Sequence, residues 1–118
     1  MINNSAQVKL GQNYALNSLA TTNDSLLSAI PTALISIVAI NNGVAAAFIK
    51  LFDKNSAPVI GTDTPTMILT IPAGGNLFYS IPVGFLSGLG IAVTALIGDL
   101  DNTAIAAGQV KIKLQFAF

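Results

Sequence analysis

Val110-Lys-Ile-Lys-Leu-Gln-Phe-Ala-Phe118 decides the fold class of this chain. Val110, Ile112, Leu114, Phe116 and Phe118 alternate with Gln109, Lys111, Lys113 and Gln115. Strict period two puts one apolar set on one side of an extended strand and the polar set on the other, so one face meets a core and the other meets solvent or a polar neighbour. Upstream, Ala33-Leu-Ile-Ser-Ile-Val-Ala-Ile40 is a β-branched run apolar on both faces, as expected of a strand inside a sandwich. It runs into Asn41-Asn42-Gly43, and Asn-Gly is the strongest short-range hairpin signal. Ala45 to Asp53 is then the expected return strand, with Asn42 and Gly43 as its structural turn.

The pattern repeats along the chain. Met67–Ile71, Asn76–Ile81 and Ile91–Ile97 are short β-rich runs separated by Pro72-Ala-Gly74-Gly75, Pro82-Val-Gly84 and Gly88-Leu-Gly90. Seven to eight strands at intervals near ten residues, with no convincing helix, predict an all-β antiparallel β-sandwich or jelly roll over 26–118. Residues 1–25 are rich in Asn, Gln, Ser and Thr, with apolar residues at near-alternate spacing: Val8, Leu10, Tyr14 and Leu16. They read as an extended N-terminal arm whose apolar residues seek a neighbouring subunit, and deleting residues 1–20 is expected to leave the sandwich folded.

Glu, Arg, His, Cys and Trp are absent from the 118 residues, and charge is confined to five Lys and five Asp. Charged residues are 8% of the chain, where soluble domains run near about 25%. A neutral chain with so bland a surface tends to self-associate, which points to a subunit covered by copies of itself or by a larger assembly. The lysines, at 9, 50, 54, 111 and 113, form no basic stripe, so no nucleic-acid partner is expected. The longest apolar stretch, Leu26 to Ile40, is broken by Pro31 and is shorter than the roughly 20 residues a spanning helix needs, so no membrane partner is expected either. The opening Met1-Ile-Asn-Asn-Ser5 lacks the charged-then-apolar order of a signal peptide.

Catalysis has little to work with. Without His or Cys the usual bases and nucleophiles are missing, and no Ser-x-x-Lys pattern replaces them. Asp99 and Asp101 offer two carboxylates, or hard oxygen ligands for Ca²⁺, from one loop. A polar turn in which Asp and Asn bond their own backbone explains the same residues more simply. No catalytic residue, cofactor or metal is therefore expected, and the chain reads as a non-enzyme.

Asn42-Gly-Val-Ala-Ala-Ala-Phe-Ile-Lys-Leu-Phe-Asp-Lys54, Pro58-Val-Ile-Gly-Thr-Asp-Thr-Pro65, Ile71-Pro-Ala-Gly-Gly75 and Asp99-x-Asp101-x-Thr103-Ala-Ile-Ala-Ala-Gly108 carry a resemblance. Over about residues 35–118 the chain resembles small virion structural proteins of tailed bacteriophages, of the capsid decoration (cement) type. The resemblance implies a β-rich homo-oligomer, with a trimer favoured, on the capsid exterior of the virion. Its partners would be the major capsid protein and itself, and the group supplies no catalytic residues to carry over. Two other readings stand beside it: a tail, fibre or baseplate component, and a lectin-like module, either binding a host surface glycan or protein.

Overall fold

The computed structural model describes residues 11–118, and every regular element among them is a β-strand. The strands are β1 (Gln12–Asn17), β2 (Ser25–Ser28), β3 (Thr32–Asn41), β4 (Ala47–Phe52), β5 (Met67–Ile71), β6 (Asn76–Tyr79), β7 (Val83–Phe85), β8 (Leu89–Thr94) and β9 (Val110–Ala117). One sheet, here the open sheet, has the order β1-β9-β3-β6, with β7 also on β3; the other, the covered sheet, has β2-β8-β4-β5. All pairings are antiparallel. The partners are nested: β1 with β9, β2 with β8, β3 with β6 and β7, β4 with β5. This is the strand order of a jelly roll, a long hairpin ribbon wound into two facing sheets.

The strand beyond the expected seven or eight is β1, which lies ahead of residue 26, and the run expected as one strand at 76–81 is followed by a second short strand on the same edge. β6 pairs with Ile37–Ile40 and β7 with Thr32–Leu34 along the same edge of β3. Between them lies Pro82, which has no N–H to give a ladder. Opposite the break, β3 carries a register shift between Leu34 and Ser36. The bulge changes parity, so Leu34 and Ile37, three apart, both point inward and are fully buried.

Inward side chains from both sheets form one core: Leu34, Ile37 and Ala39 from β3, Ile49 and Leu51 from β4, Leu89, Ile91 and Val93 from β8, and Ile112, Leu114 and Phe116 from β9. Each fully buried aliphatic side chain contributes roughly 1.5–3 kcal/mol. The alternation expected in β9 is realised from Val110 to Phe116, with Lys111, Lys113 and Gln115 exposed between buried neighbours, whereas Phe118 lies past the strand and is exposed.

Two expectations change. The Asn42-Gly43 turn does not close a hairpin, because β3 and β4 belong to different sheets. Residues 42–46 arch from one sheet to the other, and neither Asn42 nor Gly43 has the positive φ a type I′ turn requires. The determinant is the buried Asn41. Its Oδ1 accepts from Gly43 N at 2.8 Å, and its Nδ2 donates to Ala45 O at 2.9 Å and Ile71 O at 3.1 Å. Those bonds hold the chain across the gap between sheets. Glycine is used at 43 for close approach, since a Cβ there would overlap the flexible Gln109 side chain.

The second change concerns the segment read as an arm. Residues 12–17 are β1, an edge strand paired to β9 from Gln12↔Phe116 to Asn17↔Lys111. Tyr14 and Leu16 pack on the chain's own core, and Val8 and Leu10 lie outside the described residues. Deleting residues 1–20 would therefore strip a strand from the open sheet and bare one edge of β9.

Candidate docking faces

Where the few charges sit determines what the surface can do. Lys50 lies on the outward side of β4 between Phe48 and Phe52, yet it is fully buried. The β8–β9 loop folds over the covered sheet, and Lys50 Nζ donates to Gly98 O at 2.6 Å and Asp101 O at 3.1 Å. Burial pushes the Lys50 pKa below its ordinary value, against the opposing pull of Asp101 and Asp99. The β4–β5 loop covers the neighbouring part of the same sheet: Pro58 packs where a Cβ on Gly90 would have to go.

The other buried and half-buried charges hold loops. Asp53 accepts from Leu86 N at 3.0 Å and Ser87 N at 2.7 Å, fixing the β7–β8 turn. That turn is tight, since a Cβ on Gly88 would strike the carbonyl oxygens of Lys54 and Ser28. Lys54 pairs with Asp63 at 2.5 Å, and Asp63 also accepts from Val59 N. Asp101 accepts from Thr103 Oγ1 at 2.7 Å and from the amides of Leu96 and Thr103 at 3.2 Å. Asp99 stays exposed beside it. No group of three metal-ligating side chains occurs among the described residues.

These aspartates make stability acid-sensitive. Partial burial raises the Asp53 pKa, but hydrogen bonds from Ser87, Leu86 and Gly88 outweigh it and the net shift is downward. Asp63 is lowered first by the Lys54 hydrogen bond, then by Val59. For Asp101, burial again raises, and bonds from Thr103 and Leu96 with the nearby Lys50 lower it overall. As pH falls, the unfolded chain takes up protons first, so stability is full above the ordinary carboxyl value and is lost as pH drops through the lowered folded values. Urea unfolding across acid pH is expected to show this decline. Asp53→Ala should cost about 1 kcal/mol at neutral pH, the size of a lost cap, and flatten the acid limb; an unchanged limb would remove Asp53 from this account.

Among the described residues, the exposed charged side chains are Asp24, Asp99, Lys111 and Lys113. The outer side of the open sheet consists of three registered rows across β1, β9, β3 and β6: Asn17–Lys111–Ile40–Asn76, Ala15–Lys113–Val38–Phe78, and Asn13–Gln115–Ser36. Val38, Ile40 and Phe78 are exposed, Phe78 to 73%. A shallow groove of about 460 Å³ crosses this face along Asn13, Ser36, Lys113 and Gln115. On the other side of the sandwich, the loop held down by Lys50 exposes Leu96, Ile97 and Leu100.

Sequence reasoning missed the buried Lys50, although a signal was present. Phe48, Lys50 and Phe52 share the outward side of a strand whose inward side is equally apolar, which implies that both sides are covered. Of the aromatic residues, Phe52 is buried and Tyr79 half-buried against the core, while Phe78 is left open. The chain matches no protein-family model, and no curated protein or solved structure matches it significantly.

Proposed function

We propose that the protein is a non-enzymatic structural subunit of a tailed-bacteriophage virion, a capsid decoration protein that binds the outside of the major capsid protein shell and stabilises it. The observation that supports this most is the open sheet, with Val38, Ile40 and Phe78 set out to solvent while Lys50, Lys54, Asp53, Asp63 and Asp101 are engaged in holding the chain's own loops. Such a face gains free energy when covered, at roughly 25 cal/mol per Å² of apolar surface. Asp53, Asp63 and Asp101 are bonded within the fold. Many copies on one shell would add avidity to modest individual contacts.

The measurement that tests this is the copy number of the chain in purified virions relative to the major capsid protein, by quantitative mass spectrometry. Hundreds of copies per particle are expected. A handful would move the protein to the tail, and absence from particles would overturn the proposal.

The groove along Asn13, Ser36, Lys113 and Gln115 favours a second reading. Amides, a hydroxyl and an ammonium on a sheet face suit sugar hydroxyls, and jelly rolls also serve as lectins. Strong hits on a glycan array would promote a host-binding tail component over a cement protein.

A further inference from the structure

Two of the exposed apolar patches among the described residues carry opposite charge and lie on opposite sides of the sandwich. On the open sheet, Lys111 and Lys113 stand among Ile40, Val38 and Phe78 in directly registered rows. Across the molecule, Asp99 is exposed within the loop that also presents Leu96, Ile97 and Leu100. That loop is held rigidly against the covered sheet by Lys50 and by Asp101, so its apolar residues are presented in one arrangement. Asp24, the other exposed acid among the described residues, accepts from Thr22 Oγ1 at 2.9 Å within its own turn.

We propose that this chain docks on copies of itself head to tail, the open sheet of one copy receiving the Leu96–Leu100 loop of the next. This names the self-contact within the structural role proposed above and rests on that role. A two-fold pairing of open sheets would instead bring the Lys111 and Lys113 of both copies into one interface, and like charges brought together oppose association. The Asp99 loop removes that conflict and supplies three large apolar side chains to cover three. Because donor and acceptor patches differ, the contact is heterologous. It closes into a ring or continues as a row according to the rotation between copies.

Charge reversal tests the contact. Asp99→Lys and the double variant Lys111→Asp/Lys113→Asp change only exposed side chains, and circular dichroism melts would verify that both remain folded. Sedimentation velocity over a concentration series at low salt should show self-association in the unaltered protein, weakened by added salt. Each variant alone should associate about tenfold more weakly or worse. An equimolar mixture of the two should recover association, since each contact between unlike variants pairs opposite charges. A protein that stays monomeric throughout, or an Asp99→Lys variant that associates as well as the parent, would overturn the head-to-tail contact. Either result leaves the virion copy number untouched, so the two proposals fail separately.

Discussion

Ile112→Asp is expected to leave no cooperatively folded protein. Ile112 is fully buried at the middle of β9, level with Leu16 of β1 on one side and Ala39 of β3 on the other. The substitution removes roughly 1.5–3 kcal/mol of aliphatic burial. It also sets a carboxylate where no cation or donor is free to meet it, at a cost of several kcal/mol more. Together these exceed or approach the 5–15 kcal/mol that holds small domains together. Loss of the urea transition followed by circular dichroism, or recovery only as aggregate, is the expected result. Lys111→Ala, one residue away on the exposed side, should move stability by less than about 0.5 kcal/mol. A cooperative transition near the parent midpoint for Ile112→Asp would contradict the placement of β9.

The second large effect belongs to Lys50. Lys50→Ala should cost about 3–5 kcal/mol, since it empties the space of a long buried stem and removes a charged donor from two carbonyls. Lys50→Met keeps most of the stem and should cost about half as much. Its signature should be local: hydrogen exchange at the amides of Ala95 and Thr103, bonded within the β8–β9 loop, should quicken ahead of global unfolding. The pH dependence has an unusual sign. With the folded pKa below the ordinary lysine value, the unfolded chain holds more protons across the interval between them, so the Lys50 contribution grows more favourable as pH rises through it. Equal stability of the Met variant and the parent, with unchanged exchange, would mean the ammonium does not secure the loop.

How much of this was legible in the residues follows from which interactions are local. The side of β9 that faces the core could be read directly, because alternation is a property of consecutive residues. The all-β class followed from strand-forming runs and Pro/Gly breaks at short intervals. The arch at 42–46 could not be read, because Asn-Gly reports a tight turn and says nothing of which sheet receives the returning strand; that depends on Asn41 reaching Ile71, thirty residues away. β1 was hidden for a related reason. Gln12-Asn-Tyr-Ala-Leu-Asn17 is polar on its outer side and only half-buried on its inner one, so its composition resembles a loose terminus until β9 is beside it. The exposed apolar faces were foreshadowed by scarce charge, but their location depended on which lysines and aspartates the loops consume.

The nesting of strand pairs has a consequence for the order in which the molecule can form. The open sheet needs β9 between β1 and β3, so a nascent chain ending at residue 109 has synthesised every other strand yet holds that sheet in two unconnected parts. Only the innermost pair, β4 with β5, joins strands consecutive in the chain. Closure therefore waits on the most distant partners, a topology that folds slowly. Until the ninth strand arrives, the growing polypeptide shows its interior to its surroundings, and that interval is when wrong encounters form most easily.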